Sequence, residues 1–190
     1  MNATQARNRA RADIEPEVLA ARARDFGFRL ADRDELQAAI SMAENAANAG
    51  ELDYQARRAE KSSPLAESLI DGKLASVDAI SAMNVQTGMT AWVTGDPVDG
   101  IFLTIPLSAE GEAAVRNGSY VPAAPSSEHL ATQGKDIAAF YVGVYAGSSR
   151  EARKKIMTAS AVLRVEMFGV FPAYARGATE DGRRSMLSLG

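Results

Sequence analysis

The 190-residue chain has no cysteine and a single histidine, which removes disulfides, thiolate catalysis, sulfur-ligated zinc and multi-histidine metal sites. Aromatic residues are scarce at 6%, no stretch approaches 18 uninterrupted apolar residues, and neither glycine nor proline recurs with a period. A membrane-spanning helix, a collagen and a coiled coil are therefore excluded as whole-chain descriptions. Met1 to Arg11 lacks the apolar segment of a secretory signal, so the expected location is the cytoplasm, away from membranes. What is present is ordinary for a globular protein, with 46% apolar and 24% charged residues. At this length one compact domain burying roughly 70% of the unfolded chain's surface is expected.

Charge is unevenly distributed. Residues 1–149 carry 13 Lys/Arg against 20 Asp/Glu, whereas residues 150–190 carry 8 against 4. A nucleic-acid binder would be basic throughout, so nucleic acid is not an expected partner. A local positive patch on an acidic protein instead suits a small polyanion, or else is a solvated helix face.

Residues 1–26 read as a helical or frayed arm, and residues 27–190 as the domain proper. Asp32 and Glu35 form a capping box that opens a helix running to about Ala47. Residues 51–75 are helical in composition but broken at Ser62-Ser63-Pro64. From Val77 to Val85 and from Met89 to Thr94 the β-branched residues suggest strands, and Gly95-Asp96-Pro97-Val98-Asp99-Gly100 has turn chemistry before the apolar run Ile101 to Leu107, which predicts a hairpin. A short helix from Ser108 to Arg116 closes at Asn117-Gly118, and a loop containing His129 follows to Gly134.

Asp136 to Tyr145 is apolar on both alternating sets, as a strand buried on both faces would be. Tyr141 and Tyr145 fall on one face of a regular strand. Gly147-Ser148-Ser149 breaks the run, and Ser148 with Glu151 predicts a second capping box for a helix whose apolar side is Ile156, Ala159, Ser160, Leu163 and Met167. A strand from Val170 to Arg176 and a final helix capped by Thr179 complete the chain. Strand, helix, strand makes a βαβ unit.

The first turns of the helix after Ser149 hold Arg150, Arg153, Lys154 and Lys155, where acidic residues are normally favoured by the macrodipole. An anion bound between the exposed amides of Ser148 to Arg150 and the guanidinium groups would account for them. Side chains pointing into water beside Glu151 and Glu166 account for them equally. Glu128 and His129, adjacent in the preceding loop, are acid/base candidates, and Tyr145 offers a hydroxyl. Trp92 reads as core, and Asp96 and Asp99 as turn residues.

The order of these pieces resembles the GNAT acyltransferases, which move acyl groups from coenzyme A to amines. Phe28 to Leu36 resembles the family's first strand and helix, Gly95 to Gly100 its second hairpin, Phe140 to Tyr145 its fourth strand, Ser148 to Phe168 the helix that receives pyrophosphate, and Glu180 to Gly190 its last helix and Leu-Gly ending. The resemblance implies an α/β fold with a mixed, mostly antiparallel sheet flanked by helices. It also implies acetyl-CoA or another acyl-CoA as co-substrate and a small or protein amine as acceptor. Backbone groups of Val142 and Val144 would pair with the pantetheine arm, while Gly147, Ser148, Ser149, Arg150, Arg153 and Lys154 would surround the phosphates.

This chain departs from the family pattern at several places. The phosphate loop's small residues are replaced by Arg153 and Lys155, the usual tyrosine acid falls at Met186, and the glutamate of the fourth strand is absent. The family sheet continues beyond Leu-Gly, so either this chain is shortened or a second copy supplies the edge in a homodimer. Two functions remain from the sequence: an acyl-CoA-dependent N-acyltransferase, or a catalytically degenerate module that recognises an anion or a protein partner. No metal is expected in either.

Overall fold

The computed structural model describes residues 13–45 and 75–175. The predictions for residues 1–12, for 51–74 and for the final helix with its Leu-Gly ending lie outside them.

The chain enters at helix α1 (Pro16–Arg24), which starts on a proline in its first turn and buries Leu19 and Ala23. The C-terminal half of the expected arm is therefore a core element. Strand β1 (Phe28–Leu30) follows. Helix α2 (33–45) begins with the expected capping box, in which Asp32 Oδ1 accepts from the Glu35 amide at 2.8 Å and Glu35 Oε2 from the Asp32 amide at 3.1 Å. It buries Leu36, Ala39, Ile40 and Ala43, the i, i+3, i+4, i+7 set of one face.

Val77–Thr87 is helix α3, and the strand expected from Val77 to Val85 is corrected. Its Ser76 cap accepts from the Ala79 amide, its C-cap Gly88 is left-handed at φ 74°, and Ile80, Met83, Asn84 and Thr87 are buried with helical spacing. Capping and periodicity outweigh the β-branched residues that suggested a strand.

Strands β2 (Ala91–Thr94) and β3 (Gly100–Leu107) make the expected hairpin. Helix α4 (Ala109–Asn117) is capped by Ser108 and closed by left-handed Gly118. Strand β4 (Ala139–Gly147), helix α5 (Arg150–Leu163) with a π-helical turn at Arg164–Phe168, and strand β5 (Ala173–Ala175) complete the described fold.

The sheet runs β1-β2-β3-β4-β5. Every pair is antiparallel except β4 with β5, where Phe140, Tyr141 and Val142 lie beside Ala173, Tyr174 and Ala175 in parallel. The fold is thus α/β with a mixed, mostly antiparallel sheet flanked by helices, and the βαβ reading holds with β5 starting at Ala173 and not at Val170. Side chains alternate across the sheet. Val93, Ile101, Leu103, Ile105 and Leu107 pack with α2 and α3 on one face. Trp92, Phe102 and Phe140 pack with α1 and α5 on the other.

The strands buried on both faces are β2 and β3, in which every residue is buried. In β4 only the ends are buried, and Gly143 and Tyr145 are exposed, which corrects the reading of Asp136 to Tyr145 as closed on both faces. The cause is a register shift: Leu103 pairs with Val144 but Thr104 with Val142, leaving Gly143 as an extra residue. The bulge reverses the alternation, so Val142 packs with the α5 face while Val144 packs with the α2 face. Tyr141 and Tyr145 consequently point to opposite faces, not the same one.

Candidate functional site

The turn from β4 into α5 is tied to the β2-β3 hairpin, because the Ser148 amide donates to the Asp99 carbonyl at 2.9 Å. Ser148 is therefore held in the turn, and the helix cap is Ser149, whose hydroxyl accepts from the Ala152 amide at 3.1 Å. The expected Ser148–Glu151 box does not form, since with this cap Glu151 occupies the second helical position. Gly147 is required by close approach: a Cβ there would lie 2.7 Å from the Arg153 amide nitrogen and 3.0 Å from Arg153 Cγ. Arg153 thus runs over the C-terminal end of β4.

Successive residues turn by about 100° in an α-helix. Arg150 and Lys154 accordingly lie on the side of α5 facing away from Ile156 and Leu163, Arg153 lies at the flank about 60° from Ile156, and all three are exposed. Lys155 departs from this group. Its Nζ lies near Gly27, and with Phe26, Glu151, Lys154, Thr158 and Ala159 it lines an open cavity of about 290 Å³ between α5 and the turn before β1. Of the four cations, only Arg153 is set against the strand end.

Further along α5, the helical spacing that predicts Met167 as buried meets a π-helical turn. The extra residue rotates the face by one position, so Phe168 is buried instead and packs on Phe140 at 4.4 Å between ring centroids.

The acid/base candidates divide between the two faces. Tyr145 stacks on Phe102 at 4.9 Å on the α5 face and keeps 37% of its surface exposed. Burial pushes its hydroxyl up from the ordinary phenol range, against the opposing influence of a hydrogen bond with Ser160 and of the Arg164 charge. Glu128 and His129 occupy a single 3₁₀ turn, Ser127–His129, on the other side. The Glu128 side chain is exposed, and its Oε1 is 3.9 Å from His129 Nε2.

The His129 backbone is fixed by α4: its carbonyl accepts from the Ser108 amide at 3.1 Å, and Gly111 passes so close to that carbonyl that no side chain fits there. The neighbouring Glu128 carbonyl accepts from the Ser108 hydroxyl at 2.6 Å.

This turn belongs to a group that local sequence reading does not reveal. The Tyr120 ring lies 5.9 Å from the His129 ring and 5.2 Å from the Tyr141 ring. Tyr174, beside Tyr141 in the parallel ladder, donates its hydroxyl to Glu112 Oε1 at 3.0 Å. Two buried polar atoms here, Tyr120 Oη and His129 Nδ1, have no hydrogen-bond partner among the described residues. Burial and the nearby Tyr141 push the Tyr120 hydroxyl far above the ordinary phenol range, and burial with the Glu112 carboxylate raises Tyr174. The only signals in the sequence are three tyrosines and a histidine spread over 55 positions, which nothing short of the folded register unites.

Among the described residues no cluster of three or more His, Cys, Asp or Glu is placed to hold a metal, and no helix is long and apolar enough to cross a membrane. No family model matches the chain, and neither the curated proteins nor the solved structures return a similar protein.

Proposed function

We propose that the chain is an acyl-CoA-dependent N-acyltransferase. The observation that carries this reading is the outer side of β4, where the described ladder with β5 stops at Val142. β4 lies between antiparallel β3 and parallel β5, yet past Val142 it bulges at Gly143 and meets solvent at Gly143 and Tyr145. On the β3 side Val144 to Gly147 are paired, so it is the side away from β3 that would offer an extended ligand the amides and carbonyls of a strand edge. Val144 lies within that stretch. Val142 is already in the described ladder with Ala175, so it is the weaker of the two expected backbone partners.

The helix that leaves this strand opens with the first-turn amides of Arg150 and Glu151, which an α-helix leaves without intrahelical partners, and with Arg153 beside Gly147, a donor set that fits a phosphate. The opposite end of the same strand lies near His129 and Glu128. A neutral amine there attacks the thioester carbonyl carbon, the C–N bond forms as the C–S bond breaks, coenzyme A leaves as thiolate, and the ammonium proton passes to the imidazole or carboxylate. Positioning supplies most of the acceleration. Tyr145, on the far face from His129, does not share this step with it.

A module that binds without catalysis is the second reading, and one observation favours it: Arg150 and Lys154 lie on the outward side of α5, so the charge is spread and not focused. Thermal denaturation with acetyl-CoA and with coenzyme A separates the two. Ligand at about 100 times its dissociation constant adds roughly 2.7 kcal/mol of stability, and Arg153→Glu is expected to weaken the response. No shift at millimolar ligand would overturn the transferase reading, and an unchanged response in the variant would overturn the placement of the phosphates.

A further inference from the structure

The open cavity between α5 and the turn before β1 lies apart from the site proposed above. Its α5 wall is Glu151, Lys154, Lys155, Thr158 and Ala159, the i, i+3, i+4, i+7, i+8 stripe of one helix face. Lys155 follows Arg153 by two residues, which is about 160° around the helix. The stripe therefore stands on the opposite flank of α5 from the side chain set against the end of β4. The facing wall is Phe26, half-buried and packed against the aromatic core. Arg22 covers one face of its ring at 4.7 Å, which leaves the other face or the edge for the cavity. The short side chains of Thr158 and Ala159 leave open a space that longer ones would fill.

The charge around this space is unbalanced. Among the described residues neither Lys154 nor Lys155 has a hydrogen bond or ion pair, and Glu151, one turn before Lys155, pairs with neither. Asp25, next to Phe26, is already held by Arg22 at 2.8 Å. The lining thus carries two ammonium groups against one carboxylate, a net of one positive charge. Lys155 bends toward the turn, since a Cβ on Gly27 would lie 3.1 Å from its Nζ. An ammonium with its donors unused, at the rim of a wall made by a ring and an alanine, is complemented by an anion attached to a ring. The volume, about 290 Å³, falls at the low end of the roughly 300–1,000 Å³ of small-molecule sites, so a single ring suits it.

We infer that the cavity between α5 and the turn before β1 is a binding site for a small aromatic monocarboxylate. The ring packs between Phe26 and Ala159, and the carboxylate accepts from Lys155 and Lys154. The single negative charge matches the net charge of the lining. This inference does not rest on the transferase reading.

The test uses the whole chain with 4-fluorobenzoate as probe and 4-fluorobenzamide as its neutral analogue, both followed by fluorine NMR. The acid is expected to bind and the amide to bind at least five-fold more weakly. Lys155→Met keeps the stem and removes the charge, and is expected to weaken the acid by three-fold or more. Thr158→Trp fills the space from an exposed position and is expected to abolish binding. Coenzyme A is expected to leave the affinity for the acid unchanged. Equal binding of acid and amide, no binding of the acid at millimolar concentration, or unchanged affinity in either variant would overturn the inference. Displacement of the acid by coenzyme A would overturn it too, because the lysines would then serve the phosphates. Binding of the acid without any response to acetyl-CoA leaves this site standing and removes the transferase reading.

Discussion

The two faces of the sheet are built differently. On the side of α1 and α5, Trp92, Phe102, Phe140, Phe168 and Phe171 fill the space with rings, and the one polar atom of Trp92 donates to the Met89 carbonyl at 3.0 Å. On the side of α2 and α3 the core is aliphatic near β1 to β3. Toward β4 and β5 it gives way to tyrosines, a histidine and a carboxylate, with two buried polar atoms that have no partner among the described residues. The aromatic layer is filled and the polar atom of its Trp92 is satisfied, whereas the opposite layer carries the two orphan atoms.

The sharpest way to break this comparison is to empty the closed face. Trp92→Ala is expected to lower unfolding free energy by about 3–5 kcal/mol in chemical denaturation, since the ring is fully buried and close-packed. A loss under about 1 kcal/mol would mean that this face is no better packed than the other.

Tyr120→Phe makes the opposite prediction for the open face. Removing a buried hydroxyl that has no partner among the described residues relieves its desolvation, so stability should stay level or rise by up to about 1 kcal/mol. A clear loss would show that the hydroxyl is satisfied in solution and that the contrast between the faces is smaller than described.

The smallest effect lies at the rim of the closed face, where Arg22 donates to Glu166 at 2.6 and 2.8 Å and stands over the Phe26 ring. These hydrogen bonds hold the Glu166 carboxyl below the ordinary carboxylate range. The native state therefore binds its proton less readily than the unfolded chain. The stabilisation is complete above that range and is lost as pH falls through the lowered native value, that is, below about pH 4.3. Glu166→Gln should be slightly less stable at neutral pH and should flatten the acid limb of Tm against pH. An identical limb in variant and parent would remove the pair as a contributor.

Local signals in the sequence transmitted well. The Asp32–Glu35 box, the β2-β3 turn and the Gly118 cap each involve partners within a few residues, so spacing alone specifies them. Signals that depend on a neighbour did not. Ser149 rather than Ser148 caps α5 because the Ser148 amide is taken by Asp99, and Val77 to Val85 is a helix because its ends are capped at Ser76 and Gly88. The inserted residue at Gly143 invalidates any argument that extends one alternation along β4, including the pairing of Tyr141 with Tyr145. The Tyr120, His129, Tyr141 and Tyr174 group was illegible for a simpler reason, since its members meet only after β4 and β5 are in register.

The π-helical turn at Arg164–Phe168 gives the end of α5 one residue more than a regular spiral needs. It works as a vernier: the upstream half of the helix takes its rotation from Ile156 and Leu163, while Phe168 takes its own from Phe140. The two settings need not agree, so the chain can tune how α5 sits at the mouth of β4 without disturbing how it is anchored at the far end.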